Sequence, residues 1–295
     1  MSAKKILLII AGLFAGLLVM LVGAVLLGRL LLKSDDPNFP LSQGIGLVEI
    51  KGMIVDSGEP VRQLRYFLKK DNVKAVVLRV DSPGGVVGPS QEIYQEVKRL
   101  AAKKKVVVSM GSLAASGGYY VAAPATVIYA NPGTITASIG VLIKFSNIEG
   151  LLGKIGIKSA TIKTGTFKDA GSPDRPLSAE DRAMFQAVID STHEQFVRAV
   201  AEGRKLPVEV VRQLADGRIL SGEQAKAVKL VDKLGNLQDA VDEAGRLAGI
   251  SGEPELILPP KKKVNYLDLL VGGAEERFNG VLNKTLGRGL QVTYE

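Results

Sequence analysis

Short β-branched runs alternate with amphipathic helical patterns between about residue 45 and residue 250, and this alternation is the strongest constraint on the fold. The predicted strands are Gly46–Val55, Lys74–Asp81, Lys105–Met110, Thr126–Ala130, Gly140–Phe145 and Lys158–Lys163. The predicted helices are Pro60–Lys70, Pro89–Lys103, Ser116–Ala125 and Ile148–Ile155, followed by a longer helix over residues 178–202 that begins with a Ser178/Asp181 capping-box pattern. Alternation at this spacing is typical of βαβ units. We therefore expect an α/β fold with a largely parallel sheet and flanking helices.

An uncharged apolar run of 23 residues, Ile6–Gly28, precedes this region. In a helix it would extend about 34 Å, which is enough to cross a bilayer core of about 30 Å. A cleaved signal peptide is the alternative, but its apolar region is normally only about 7–15 residues long. We expect an uncleaved single-pass anchor in a cell membrane. Lys4 and Lys5 favour a cytoplasmic N-terminus, which would leave the bulk of the chain outside the cytoplasm.

The composition excludes several classes of site. Cysteine is absent, which rules out thiol nucleophiles, zinc–thiolate sites and disulfides. His193 is the single histidine, so a histidine-rich metal centre is excluded. The net charge is +8, but basic residues are mostly scattered and no tryptophan is present, so we expect no nucleic-acid partner. We expect neither a metal nor another cofactor.

Three glycine-containing segments follow predicted strands, at the edge where open α/β sheets bind ligands. They are Asp81–Gly85, Ser112–Gly118 and Thr136–Gly140. None matches a phosphate-binding or dinucleotide-binding fingerprint. Taken alone, each segment also has the composition of an ordinary turn.

In combination, the three segments predict a nucleophilic site. Ser116 would lie at a strand-to-helix turn that exposes its hydroxyl, and the N–H of Gly117 would point toward a developing oxyanion. Gly85 has no side chain and would let a second N–H approach the same oxygen. A base is still needed, and Lys168 in a later glycine-containing loop is a candidate, with Ser138 to orient its amine. An exposed loop lysine is the alternative interpretation, because an ordinary lysine is almost fully protonated at pH 7.

Five motifs resemble the short form of the signal peptide peptidase A (protease IV) group of the S49 serine peptidase family. They are DSPGG (81–85), MGSLAASGGYYVAA (110–123), TASIGV (136–141), TGTFKDAGSP (164–173) and DGRILSGEQAKAVKLVD (216–232). The resemblance implies a fold like that of the Clp protease and crotonase superfamily, with a ββα-type core. It implies that Ser116 is the nucleophile and Lys168 the general base, that Ser138 positions the lysine, and that Gly85 and Gly117 are the oxyanion donors.

The same resemblance implies a membrane-anchored endopeptidase that degrades hydrophobic peptides, including signal peptides left in the membrane. It also implies a ring-shaped homo-oligomer in which the serine and lysine come from neighbouring subunits. The predicted organisation is residues 1–32 as cytoplasmic tip and anchor, 33–44 as linker, 45–250 as peptidase domain and 251–295 as an extension without an assigned role.

Other functions stay open at this point. One is a Ser–Lys peptidase that acts on other membrane proteins, such as stomatin-like partners. Another is a non-catalytic membrane scaffold of the same fold, and an acyl-CoA hydratase is a third. His193 is an alternative base, although its place beside the apolar face of helix 178–202 favours a packing role.

Overall fold

The computed structural model describes residue 14 and residues 16–23, 43–260 and 293–294. By its internal contacts the chain divides into two units, Met1–Leu41 and Ser42–Glu295. In the first unit residues 16–23 are helical, with exposed side chains. Among the residues that the structure describes, no helix is both long enough and apolar enough to cross a membrane. Most of the predicted anchor, Ile6–Gly28, lies outside the described residues.

The second unit has an eight-stranded sheet and a separate two-stranded pair. Its strands are β1 (Gly44–Lys51), β2 (Val73–Ser82), β3 (Gly85–Val86), β4 (Lys105–Ala115), β5 (Val127–Ala130), β6 (Ile135–Ala137), β7 (Ile219–Ser221), β8 (Lys233–Leu234), β9 (Glu255–Ile257) and β10 (Thr293–Tyr294). The main sheet has the order β7-β6-β4-β2-β1-β9, and β5 pairs with β4 and β8. Every pair in it is parallel except β6–β7, and β10 pairs antiparallel with β3. The expected largely parallel sheet is therefore confirmed.

Helices flank the sheet as the alternating pattern predicts. They are α1 (Gly58–Lys69), α2 (Val87–Ala101), α3 (Gly117–Ala122), α4 (Glu149–Lys154), α5 (Ala179–Arg204), α6 (Val208–Leu214), α7 (Gly222–Ala227) and α8 (Leu237–Ala248). The predicted capping box of α5 is present, because Ser178 Oγ accepts the Asp181 N–H at 3.0 Å and the Asp181 carboxylate accepts the Ser178 N–H at 3.1 Å. This pairing fixes the residue at which α5 begins.

The hydrophobic core is built around the central strands β2 and β4. Both read as almost continuous apolar runs, which is typical of parallel strands buried on both faces. The α8 side chains Ala240, Val241 and Ala244 pack with sheet residues in one buried cluster. Phe67 of α1 is also fully buried. Because this core fixes the central strands, their carboxyl ends form a stable edge on which a site can be built.

Two predicted strands are wrong. No strand forms over Gly140–Phe145 or Lys158–Lys163, and the chain there is irregular apart from α4. Side chains from residue 158 to residue 168 are exposed, and among the residues that the structure describes no neighbouring strand satisfies the backbone of this segment. All three segments expected to be turns are partly strand, because β2 continues to Ser82, β4 continues to Ala115 and β6 forms over Ile135–Ala137.

Acid should destabilise the fold through Glu243 on α8. Its largely buried carboxylate lies 2.8 Å from the Arg246 guanidinium and 3.1 Å from the Lys233 amine. The hydrogen bond from Arg246 is the main cause that lowers the pKa of Glu243 to about 2. Since this value lies below that of the unfolded chain, at about 4.3, the carboxylate stabilises the fold at neutral pH, and this stabilisation is lost as pH falls from about 5 to 2. Urea unfolding of Glu243→Gln should show a weaker pH dependence in that range; an unchanged slope would contradict this account.

Candidate active site

Ser116 occupies a strained turn between β4 and α3. Its φ of 52° and ψ of −119° lie outside the regions that non-glycine residues prefer. Two backbone hydrogen bonds hold the turn: the Ser116 N–H donates to the Ala137 carbonyl at 2.8 Å, and the Tyr120 N–H donates to the Ser116 carbonyl at 2.8 Å. Strain of this kind persists only where the surrounding structure enforces it, and it concentrates at functional sites.

The hydroxyl group of Ser116 is buried without a partner. Ser116 has no exposed surface, and within the described part of the chain its Oγ has no hydrogen-bond partner. A buried polar group normally finds a partner, because leaving one unpaired costs about 1–3 kcal/mol. An unpaired hydroxyl on a strained backbone is therefore a candidate reactive group.

Gly85 lies beside this serine in a conformation that only glycine adopts readily. Its φ is 156°, and a Cβ at this position would be 2.1 Å from the carbonyl oxygen of Ile54. The strand β3 is held against Ile54 by two hydrogen bonds, from the Ile54 N–H to the Gly84 carbonyl and from the Val86 N–H to the Ile54 carbonyl, both 2.8 Å. Ile54 therefore fixes the position of the Gly85 peptide.

Gly117 brings α3 close to β3. A Cβ on Gly117 would lie 2.7 Å from Ser90 Oγ and 3.2 Å from the amide nitrogen of Gly85. Ser90 is itself buried and donates to the Val86 carbonyl at 2.9 Å. The structure thus brings Gly85, Ser116 and Gly117 together, and two backbone amides adjoin one serine. Such a pair of amides can stabilise an oxyanion.

Ser138 is held next to this cluster by β6 and the turn before β7. It also has a positive φ, 49°, and its N–H donates to the Arg218 carbonyl at 2.9 Å. Its hydroxyl lies 3.5 Å from the carbonyl oxygen of Gly217. The preceding residue, Ala137, accepts the Ser116 N–H, so the backbones of the two serines are joined through one residue.

Lys168 is exposed on a turn in the segment between β6 and α5. Among the described residues, no hydrogen bond or ion pair joins Lys168 to Ser116. The loop that carries it is braced by ion pairs: Arg175 binds Asp169 at 2.8 Å and Asp181 at 2.6 Å, and Lys163 also binds Asp169. Hydrogen bonds from Arg175 and then Lys163 hold the pKa of Asp169 well below its usual range.

The same irregular segment exposes an unusual number of large apolar side chains. We call residues 148–168 the arm. Its exposed apolar side chains, with their exposed fractions, are Ile148 (39%), Leu151 (59%), Ile155 (61%), Ile157 (52%), Ile162 (103%) and Phe167 (47%). Concentrated apolar exposure of this kind is typical of a surface that another molecule covers.

Comparison with known proteins assigns the family. The model of peptidase family S49 matches residues 98–251, and the Clp protease model matches residues 54–140. A candidate protease of Synechocystis is 44% identical over 227 residues, which is 76% of this chain and 82% of that protein. A candidate protease of Methanocaldococcus jannaschii is 38% identical over 86% of each chain. Protease 4 of Salmonella typhi is 40% identical over 69% of this chain and 34% of its own length.

The chain belongs to peptidase family S49. It is a serine peptidase with a Clp-protease-like α/β fold, as the motifs indicated. The region matched by the S49 model contains Ser116, Ser138 and Lys168, and the region matched by the Clp protease model contains Gly85 and Gly117.

Sequence reasoning missed several residues that support this candidate site. Ile54, which holds β3, has no motif around it. Ser82 accepts the Gly84 N–H at 3.1 Å, and it could have been noted because it lies within the DSPGG motif. Gly217 and Arg218 contact Ser138 through their backbones, and they belong to a motif that was recognised without a role for these two residues.

Proposed function

We propose that this protein is a Ser–Lys endopeptidase in which Ser116 attacks the peptide carbonyl. The observation that carries the proposal is the buried, unpartnered Ser116 hydroxyl on a left-handed backbone, beside the amides of Gly85 and Gly117. A serine hydroxyl is a weak nucleophile until a base accepts its proton. We propose Lys168 as this base. The single histidine, His193, lies on α5 and is partly buried.

In the proposed mechanism, Ser116 Oγ adds to the carbonyl carbon while the neutral amine of Lys168 takes the hydroxyl proton. The N–H groups of Gly85 and Gly117 donate to the oxyanion, and losing one such donor typically costs about 3–4 kcal/mol. The Lys168 ammonium then protonates the leaving amine as the C–N bond breaks. The lysine next removes a proton from water as the water oxygen adds to the acyl carbon, and it returns that proton to Ser116 Oγ as the ester bond breaks. Ser138 orients the lysine by accepting a hydrogen bond from its amine.

We infer that Lys168 completes the site of a neighbouring subunit in a closed homo-oligomeric ring. Two features support this inference: Lys168 is exposed on a braced loop, and the arm that carries it exposes a set of large apolar side chains. Contacts between different surfaces of identical subunits close into a ring when the rotation allows it. The arm would then be buried against the next subunit.

We also propose that the protein is anchored in a membrane and acts on hydrophobic peptides there. The uncharged run Ile6–Gly28 is long enough to form a single-pass anchor, and the lysines before it favour a catalytic domain outside the cytoplasm. An anchor confines enzyme and substrate to one surface and so raises their effective concentration. Hydrophobic peptides, including signal peptides that remain in the membrane after cleavage, are therefore the proposed substrates.

The test is digestion of a mixture of synthetic signal peptides by the full chain, with Ser116→Ala as the control. We expect internal cleavage of the hydrophobic peptides by the wild-type protein and none by the variant, measured by mass spectrometry. A fluorophosphonate should label the wild type at Ser116 only. Cleavage that persists in Ser116→Ala would overturn the assignment of the nucleophile. Labelling of Ser116 with no cleavage of any signal peptide would instead favour a peptidase for other membrane proteins.

A further inference from the structure

Lysines that are separate in the sequence gather at the amino ends of the central parallel strands. Lys104 connects them, because its amine donates to the carbonyls of Phe67 and Lys70 at the end of α1, both at 2.6 Å. Lys105 is the first residue of β4 and lies in register with Ala75 of β2. We call the basic surface at this edge the lysine patch; its members are Lys69, Lys70, Lys74, Lys103 and Lys105.

The charge of the lysine patch is not neutralised within the domain. Four of its members are exposed, and in the described part of the chain none of the four forms an ion pair: Lys69, Lys74, Lys103 and Lys105. Lysines elsewhere on the surface do pair with carboxylates, such as Lys51 with Glu49 at 2.7 Å. Asp71, which is exposed in the turn before β2, offsets only part of the charge of the patch. The patch therefore presents a net positive surface.

The chain enters the sheet at this same edge. Gly44 is the first residue of β1, and its N–H donates to the Asn72 carbonyl at 3.0 Å, two residues before Lys74. The uncharged run Ile6–Gly28 ends 16 positions before Gly44. A chain of that length reaches at most about 55 Å in any conformation. With the run as the proposed anchor, the amino edge of the sheet is the part of the domain that the chain ties to the bilayer.

We propose that the lysine patch is a docking surface for anionic phospholipid headgroups and holds the amino edge of the sheet against the membrane. Basic residues close to a membrane are attracted to its anionic lipids, and a lysine amine is a compact charge that pairs with phosphate. Nucleic acid offers the same phosphate chemistry, but the anchor brings headgroups to this edge at a high local concentration. The inference goes beyond the peptidase activity and shares only the anchor with the proposed function.

Docking at the patch leaves the catalytic edge free. Ser116 follows the carboxyl end of β4, a strand of 11 residues that begins with Lys105. The two ends of such a strand are about 33 Å apart. Headgroups bound at the patch therefore do not reach Ser116, and a fluorophosphonate should label Ser116 equally fast in neutral and in anionic vesicles.

The experiment places the full chain in vesicles of phosphatidylcholine and in vesicles of phosphatidylcholine mixed with phosphatidylglycerol. A membrane-impermeant amine reagent modifies the lysines, and mass spectrometry gives the rate at each one. We expect modification at Lys74, Lys103 and Lys105 to be about fivefold slower in the anionic vesicles. Lys51 is the internal control, since it is exposed at the carboxyl end of β1, and its rate should be the same in both. High salt should remove the difference, because it screens exposed charges.

A variant tests whether the patch acts as a unit. In Lys74→Gln/Lys103→Gln/Lys105→Gln, the remaining Lys69 should lose its protection in anionic vesicles. Lys51→Gln removes a lysine from the opposite edge of the sheet and should leave the protection of Lys69 unchanged.

Three outcomes would overturn the inference. They are equal modification of the patch in both kinds of vesicle, equal slowing at Lys51, and protection of the patch by duplex DNA but not by anionic vesicles. The last outcome would assign the patch to nucleic acid. Flotation of the protein with neutral vesicles tests the anchor, and labelling of Ser116 tests the nucleophile. Failure of either part of the proposed function is therefore seen separately from failure of the patch.

Discussion

Replacing Lys168 with alanine is expected to lower peptide hydrolysis about 10³-fold while leaving the free energy of unfolding unchanged. Removal of a general base typically costs about 10²–10⁴-fold in rate, and a serine hydroxyl without a base is a poor nucleophile. Lys168 is exposed on its loop, so its side chain contributes little to the stability of the fold. The measurements are kcat on a hydrophobic peptide and urea unfolding of the same preparation.

Two matched variants separate catalysis from loss of surface charge. Lys158→Ala removes another exposed lysine from the same arm, and it should keep nearly full activity. His193→Gln tests the other candidate base and should also keep most of the activity. If folded His193→Gln lost more than about a hundredfold while Lys168→Ala stayed active, the lysine-base mechanism would be wrong.

The sheet and the serine turn were predictable because each depends on local sequence. Buried parallel strands such as β2 and β4 read as apolar runs, and the capping box at Ser178 marks the start of α5. The turn at Ser116 has a signature of its own, a serine followed by two glycines after an apolar strand. A larger residue cannot replace Gly117 because Ser90 and Gly85 lie against it. The glycine that the site requires is therefore visible in the local sequence.

The arm could not be predicted, since β-branched content alone does not make a strand. The run at Lys158–Lys163 has the composition of a strand, but within the described part of the chain no neighbouring strand pairs with it, and Ile162 is fully exposed. A strand needs a partner to satisfy its backbone, and composition does not reveal whether one is present. The exposed apolar side chains of the arm are consistent with packing against another molecule.

The pairing of β10 with β3 was also beyond sequence reasoning. It involves only two residues on each strand and is held by main-chain groups, which leave no periodic pattern. The same limit applies to Ile54, whose backbone fixes Gly85 and whose side chain gives no sign of that role. Backbone contacts are therefore the feature of this site that is hardest to predict from the sequence.

Mixing two inactive variants is expected to restore hydrolysis to about a quarter of the wild-type level. Subunits with Ser116→Ala keep Lys168, and subunits with Lys168→Ala keep Ser116. If the pair forms between neighbours and equal amounts assemble at random, half of the sites have the serine and half of those receive an intact lysine. The gain over Lys168→Ala alone would then be about 250-fold, given the expected loss of about 10³-fold for that variant.

The design of this mixing experiment decides between a site within one subunit and a site between subunits. Distinct affinity tags on the two variants isolate rings that contain both, and peptide hydrolysis is measured on that fraction after denaturation and joint refolding. Wild-type protein taken through the same steps gives the reference activity. A dyad within one subunit leaves every site without one of its residues, so activity would stay at background. Background activity in verified mixed rings would refute the shared site and favour a pair formed by Ser116 and Lys168 of one chain, because the arm lies within the long segment that joins β6 to α5.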